Sequence, residues 1–148
     1  MASWEEFAAA DPDLAALVRR SFAVRKHATL ATLRKDGAPR ISGTEVEFAE
    51  DGEMYLGMMP ESLKALDLRR DPRLALHSPT EDAPDSDPGA WTGEAKLAGR
   101  GVEVSEPTDE AHRFRIDITE VVHTSVDNDL LVIRSWHPER GSERRERR

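Results

Sequence analysis

The fold is decided by residues 28–77, which read ATLATLRKDGAPRISGTEVEFAEDGEMYLGMMPESLKALDLRRDPRLALH. Four apolar or alternating runs in this stretch predict strands, and Asp-Gly turn signals at 36–37 and 51–52 separate the first three. Leucines spaced for one helix face predict a short helix over 62–70, and the Asp-Pro at 71–72 ends it before the fourth strand. The stretch therefore predicts a mainly β structure with short connections.

The flanks of this stretch predict supporting helices, further strands and a charged tail. Residues 3–26 contain a capping-box spacing and an Asp-Pro helix start at 11–12, which predict a helical N-terminal segment. Residues 139–148 are almost all charged, so we expect them to be disordered. The expected organisation is one domain over residues 1–138 followed by that tail.

Composition and charge exclude several classes of function. The chain has 148 residues, of which 38% are hydrophobic, and this size suits one core. Its formal net charge of −8 disfavours nucleic acid and anionic membranes as partners. It has no cysteine, so disulfides and thiolate metal sites are excluded. Because no apolar run is long enough to span a membrane and no secretion signal begins the chain, we expect a soluble, cytoplasmic protein.

The sequence predicts neither a metal site nor a set of catalytic side chains. No two of the five histidines have the spacing of metal ligands on a helix. The acidic residues of 78–89 do not match a calcium-binding loop, so we expect an exposed loop there. We find no Ser-His-Asp arrangement and no Gly-rich phosphate loop, so no residue is assigned to catalysis.

The order of elements resembles a known family. The segments ATLRKDGAPRISGTEVEF, GEMYLGMMPESLKALDLRRDPRLAL and WTGEAKLAGRGVEV look like the pyridoxamine 5′-phosphate oxidase-like superfamily of flavin- and deazaflavin-binding proteins. The resemblance covers roughly residues 15–136. It implies a split β-barrel of six to seven antiparallel strands with flanking helices, which forms a homodimer. It also implies FMN or the deazaflavin coenzyme F-420 as the cofactor, bound at the subunit interface.

The residue best suited to hold a cofactor phosphate is Lys64. It lies in the first turn of the predicted short helix, where free backbone N–H groups and the helix dipole favour an anion. Ser62 can cap the same helix and offer its hydroxyl to that anion. Spacing alone also fits an ordinary capping serine beside a solvated lysine. The resemblance implies instead that this Ser-x-Lys holds the phosphate.

The resemblance also implies where a flavin ring lies, at the end of the third strand. Met58 and Met59 there would supply a polarisable wall for the ring, although buried methionines are also common in ordinary cores. Gly43, in the second strand, permits close approach of a flat ring or a second backbone, or else marks a bulge. His77 is the histidine expected to face the cleft, with a structural role as the alternative. Related split barrels bind haem through a histidine, which leaves haem as a lesser alternative cofactor.

The chain departs from true pyridoxamine phosphate oxidases at several positions. Those enzymes carry arginines where this chain has Ser42 and Leu63, and a basic residue where it has Glu47. Oxidation of pyridoxamine 5′-phosphate is therefore not expected. Ser42 itself is kept as a candidate cofactor-binding residue, and three arginines are candidates to replace the missing charge: Arg34, Arg40 and Arg69.

These observations lead to one hypothesis and two alternatives. The chain is predicted to be an FMN- or deazaflavin-dependent oxidoreductase that acts on a small molecule, with the hydride chemistry supplied by the cofactor. One alternative is a non-catalytic flavin- or haem-binding module. The other is a dimeric scaffold that binds no cofactor.

Overall fold

The computed structural model describes all residues from Met1 to Arg148. It contains three α-helices: α1 (Trp4–Ala10), α2 (Pro12–Ala23) and α3 (Leu63–Arg70). It contains eight strands: β1 (Ala28–Leu33), β2 (Pro39–Phe48), β3 (Met54–Met58), β4 (Arg73–His77), β5 (Glu94–Glu103), β6 (His112–Asp127), β7 (Leu130–His137) and β8 (Gly141–Arg147). One turn of 3-10 helix, Pro88–Ala90, lies in the loop between β4 and β5.

Six of the strands close into an antiparallel barrel. The order around it is β1, β2, β3, β6, β5, β4, and β4 pairs again with β1. β7 and β8 continue the sheet outward from the second half of β6. The prediction of a mainly β split barrel with flanking helices is confirmed, with two strands added to the closed six.

The two N-terminal helices pack against each other and against the barrel. The Ser3 side chain accepts a hydrogen bond from the Glu6 backbone N–H at 3.0 Å, which caps α1. Asp11 caps α2 in the same way, with Pro12 in its first turn. Their apolar faces join the barrel interior in one cluster of 23 buried residues. The N-terminal helices therefore stabilise the barrel through packing.

The C-terminal residues differ from the expectation of disorder over 139–148. Gly141–Arg147 form β8, which pairs antiparallel with β7 along its whole length. Its side chains stay largely exposed, so a charged composition prevents burial but does not prevent backbone pairing. The Ser142 hydroxyl also donates to Asp11 Oδ2 at 2.6 Å, which ties β8 to the start of α2.

None of the three α-helices has the length and apolar character that crossing a membrane needs.

Candidate functional site

An open groove of about 1050 Å³ lies on the outer face of β2 and β3, beside the start of α3. The backbones of Gly43 and Gly57 form part of its floor. Nothing lies within 4 Å of the position that a Cβ atom would take at either glycine. The floor is therefore flat and open at both positions, as close approach of a planar molecule requires.

The strand register places two charged side chains on either side of this floor. Glu45 of β2 is the direct partner of Gly57 in β3, and Gly57 is the direct partner of Arg113 in β6. Because adjacent strands lie about 4.8 Å apart, the Cα atoms of Glu45 and Arg113 are separated by roughly 10 Å. Gly57 thus leaves a strip without a side chain between the Cα positions of Glu45 and Arg113.

Lys64 reaches the groove from the first turn of α3. Its Nζ donates a hydrogen bond to the Gly43 carbonyl oxygen at 2.7 Å. Burial lowers the pKa of Lys64, and no carboxylate offsets this effect. The groove therefore contains a half-buried ammonium whose charge is not neutralised by another side chain.

The turn before α3 contains a hydroxyl that lacks a partner. Ser62 occupies the N-cap position but makes no side-chain cap, contrary to the expected capping role. Its Oγ is buried and has no hydrogen-bond partner. Glu61, which precedes it, has a φ of 58°, a conformation that non-glycine residues seldom adopt. The turn thus buries a polar atom and leaves its hydrogen-bonding capacity unused.

A set of contacts fixes this turn to the neighbouring strands. The Glu61 backbone N–H donates to His112 Nε2 at 2.9 Å. Arg69 of α3 makes two hydrogen bonds of 2.8 Å to the Glu103 carboxylate, and they lower the pKa of Glu103 to about 2. The Arg69 charge is therefore neutralised by Glu103, so Arg69 is a poor replacement for the missing phosphate-binding arginine.

Arg40 is also committed to a carboxylate. Its Nε donates to Asp67 Oδ2 at 2.7 Å, and the Thr32 hydroxyl donates to the same oxygen at 2.8 Å. Asp67 is only 1% exposed. Burial alone would raise the pKa of Asp67, but the hydrogen bonds from Arg40 and Thr32 together lower it. Arg40 therefore joins β2 to α3 and does not line the groove.

The other predicted site residues are divided between the groove and the rest of the barrel. Met58 and Met59 both line the groove, Met59 with 78% of its surface exposed and Met58 almost fully buried. Ser42 is the β-sheet partner of the buried Leu30 and is not part of the groove lining. His77 lies elsewhere on the outer face, with Nε2 3.1 Å from Glu94 Oε2. The structure thus brings Lys64, Met58 and Met59 together in the groove, with Ser62 in the turn between Met59 and Lys64.

Sequence reasoning missed Arg113 as a groove residue. The Arg113 guanidinium lies over the Tyr55 ring, 3.6 Å from its centroid, and Nη2 donates to Glu47 Oε1 at 2.6 Å. Tyr55 in turn donates its hydroxyl proton to Asp51 Oδ2. The alternation of β6 predicts that Arg113 points outward, but only the pairing of β6 with β3 brings it beside the groove floor.

Comparisons with known proteins bear on the fold. No family model and no curated protein matches the chain. Among solved structures, a pyridoxamine 5′-phosphate oxidase-related FMN-binding protein from Nostoc punctiforme matches at 13% identity and a TM-score of 0.69, covering 100% of this chain and 98% of that one. The chain has the split-barrel fold of these proteins. The resemblance inferred from the sequence is therefore confirmed at the level of the fold.

Two further structures share this fold. PhzG from Burkholderia lata, solved in complex with tetrahydrophenazine-1-carboxylic acid, matches at 11% identity and a TM-score of 0.65, covering 98% of this chain and 93% of that one. HutZ from Vibrio cholerae, a haem storage protein, matches at 13% identity and a TM-score of 0.53, covering 74% and 89%. At such identities the likeness concerns the fold alone, so function has to be argued from the groove.

Proposed function

We propose that this protein binds a flavin-type cofactor, FMN or coenzyme F-420, in the groove and acts as an oxidoreductase on a small molecule. The observation that carries the proposal is the Lys64 ammonium, which lies beside an open floor and has no carboxylate partner. A half-buried cation without a counterion is electrostatically unfavourable, and a bound anion would relieve that penalty.

The groove residues fit the phosphate end of such a cofactor. Lys64 supplies a full positive charge, and α3 presents free backbone N–H groups at the same end. The Ser62 hydroxyl is buried without a partner in the adjoining turn and is not part of the groove lining, so it would join the site only after a movement of that turn. The Lys64 ammonium and the helix N–H groups would hold a phosphate by charge-assisted hydrogen bonds.

The groove floor fits a flat ring system. Gly43 and Gly57 would let a ring approach the backbone of β2 and β3, where main-chain N–H and C=O groups are the available partners. Met59 would cover part of the ring with a polarisable thioether. When bound, the cofactor would supply the hydride chemistry. The chain would orient the cofactor and substrate, so no protein acid or base is assigned.

Pyridoxamine 5′-phosphate is not the proposed substrate. Glu45 and Glu47 line the groove, and Asp109 and Glu110 extend its acidic border. Carboxylates at these positions would repel a second phosphate group. Of the groove's cations, only Lys64 lies beside the helix start that would hold the cofactor phosphate.

We also propose that two copies of the chain form a dimer through the outer face of the barrel. Apolar side chains form a row across four strands, because Ile41 is opposite Ala31, Ala31 opposite Ala75, and Ala75 opposite Ala98. Ile41 is 75% exposed at one end of this row. Gly43 lies two residues further along β2 and lines the groove, so a second copy on this face would border the cofactor.

Ligand titration tests the cofactor proposal. We expect FMN or coenzyme F-420 to bind the wild type and to bind Lys64→Ala roughly 10- to 100-fold more weakly, since a charge-assisted hydrogen bond is lost. Lys35→Ala, in the exposed β1–β2 turn, is the matched control and should bind like the wild type. Unchanged affinity in Lys64→Ala would contradict the site assignment.

The same titration separates the alternatives. Flavin or haem binding without turnover of any substrate would support a binding module. Absence of binding below about millimolar, which corresponds to roughly −4 kcal/mol, would favour a cofactor-free scaffold.

Light scattering tests the dimer. We expect about twice the chain mass of 16.5 kDa for the wild type and a shift toward the single-chain mass for Ile41→Glu. A wild-type protein that remains at the single-chain mass would contradict the dimer.

A further inference from the structure

We propose that Arg113 forms a second anion site in the groove, that this site takes the carboxylate of a flat, aromatic substrate, and that Glu47 competes with the substrate for it. The proposal rests on the proposed function, because it names the substrate class of the same groove. The anion site lies at a different end of the groove from Lys64, so the substrate proposal and the cofactor proposal can be tested separately.

The geometry of Arg113 leaves it available for a ligand. Its Cα is directly opposite Gly57, but its guanidinium leans over Tyr55 and contacts Glu47. Tyr55 is the strand partner of Glu47, so the side chain reaches diagonally to the next row of the sheet. This diagonal course leaves the Gly57 strip uncovered beside a planar cation.

The hydrogen-bonding capacity of Arg113 is only partly used. A guanidinium carries five N–H donors, and the Arg113 side chain makes one hydrogen bond, to Glu47. The ion pair is exposed, with 45% of the Arg113 side chain and 57% of the Glu47 side chain accessible to solvent. Exposed pairs of this kind are weak, so a ligand could displace Glu47 at little cost. The ring stack on Tyr55 would meanwhile hold the guanidinium plane in place.

The charges around Arg113 favour a carboxylate over a phosphate. Two carboxylates that line the groove, Glu45 and Glu47, would repel a dianion more than a monoanion. A guanidinium matches the planar, two-oxygen geometry of a carboxylate. A flat ring beside Arg113 would lie over the Gly57 strip, which is roughly 10 Å wide between flanking Cα atoms, either on the backbone itself or stacked on a cofactor ring that already covers it.

Arg113 and Lys64 are too far apart to share one acidic group. Lys64 is bonded to Gly43 and Arg113 to Glu47, and these residues are four positions apart on β2. A strand rises about 3.3 Å per residue, so the two contact points are separated by about 13 Å. The groove thus has a cationic residue at each end, one for a cofactor phosphate and one for a substrate carboxylate.

The experiment measures binding of two probes of nearly identical shape, 2-naphthoate and its uncharged amide 2-naphthamide. Each is titrated into the wild-type protein alone and into the protein with saturating FMN. We expect the wild type to prefer naphthoate by about tenfold or more, and Arg113→Gln to lose that preference. Arg115→Gln is the matched control, because Arg115 is also on β6 but pairs with Asp117.

Glu47→Gln distinguishes competition for Arg113 from a purely structural role of the ion pair, because only competition predicts tighter naphthoate binding in this variant. If Glu47 competes for Arg113, its removal should raise naphthoate affinity about 2- to 5-fold. Glu45→Gln is the control for a general change in charge, because Glu45 pairs with Lys26. A larger gain in Glu45→Gln than in Glu47→Gln would contradict the competition.

The outcomes separate this proposal from the cofactor proposal. Loss of the naphthoate preference in Arg113→Gln, with unchanged FMN affinity, supports both. The same loss in a protein that does not bind FMN supports the anion site and contradicts the cofactor. A wild type that does not bind naphthoate, or does not prefer it to the amide, overturns the anion site, as does an Arg113→Gln variant that keeps the preference.

Discussion

Replacing Asp67 by Asn should unfold the protein at a markedly lower temperature. Asp67 is 1% exposed and accepts hydrogen bonds from Arg40 at 2.7 Å and Thr32 at 2.8 Å. Only 17% of the Arg40 side chain is exposed. The substitution keeps the size of the side chain but removes the charge, which leaves a largely buried guanidinium without a counterion.

The magnitude follows from this burial. Removing one partner of a buried ion pair costs about 3–5 kcal/mol. In a protein of this length, each kcal/mol lowers the melting temperature by roughly 2–4 °C, so the expected decrease is about 6–20 °C. The pKa of Asp67 is lower in the folded than in the unfolded chain. The stabilising charge is therefore fully present above the unfolded-state pKa of ~4, and it is lost only as the pH falls through the lower folded-state pKa. The effect of the substitution should therefore be constant between pH 5 and 8.

Thermal melts of the wild type and variants measure this effect. Glu47→Gln breaks an exposed ion pair and is the control, with an expected change below about 1 kcal/mol. Arg40→Met combined with Asp67→Asn should be less destabilised than the sum of the single variants, because the two residues are coupled. A melting temperature for Asp67→Asn within 2 °C of the wild type would refute the account of Arg40 as a structural residue.

Three further predictions concern pH and the C-terminus. If Lys64 holds a phosphate, FMN affinity should fall as the pH rises through the lowered pKa of Lys64, whereas Lys64→Arg should keep its affinity up to pH 10. His123 is 1% exposed, its ring nitrogens lack partners, and burial lowers its pKa. Below the unfolded-state pKa of ~6.5 the unfolded chain binds more protons than the folded chain. As the pH decreases through this range, wild-type stability should therefore fall relative to that of His123→Leu by at most ~1.4 kcal/mol per pH unit. Parallel pH profiles of the two proteins in urea melts would contradict this. Truncation after Pro138 should lower the melting temperature by only a few degrees and leave ligand affinity unchanged, because β8 buries almost no side chain; failure of the truncated chain to fold would contradict this.

The sequence predicts the barrel well because local chemistry determines its elements. Asp-Gly turns, alternating strands and the Asp-Pro end of α3 all act within a few residues, and the structure has an element at each. The C-terminal strand was missed for a physical reason. β8 is held by backbone pairing to the edge of β7, and its charged side chains carry no signal of that pairing.

The groove could be predicted only in part, because its composition depends on strand register and on ion-pair partners. The helix-start spacing pointed to Lys64, but nothing local indicated that Gly57 is opposite Arg113. Arg40 and Arg69 looked equally free in the sequence. The structure shows each beside a carboxylate more than 20 residues away, at Asp67 and Glu103 respectively.

The strongest argument for an anion at the groove is a comparison among the cations around α3. Arg69 pairs with Glu103, Arg70 with Asp67, and Arg73 with Asp71. Lys64 is the fourth cation of this helix and the residues just after it, and it contacts a backbone carbonyl instead of a carboxylate. The chain has 29 acidic residues against 21 lysines and arginines, so carboxylates outnumber the cations that they could pair with. A lack of carboxylates therefore does not explain why Lys64 has no such partner. A ligand phosphate at this position would complete the pattern that the other three cations follow.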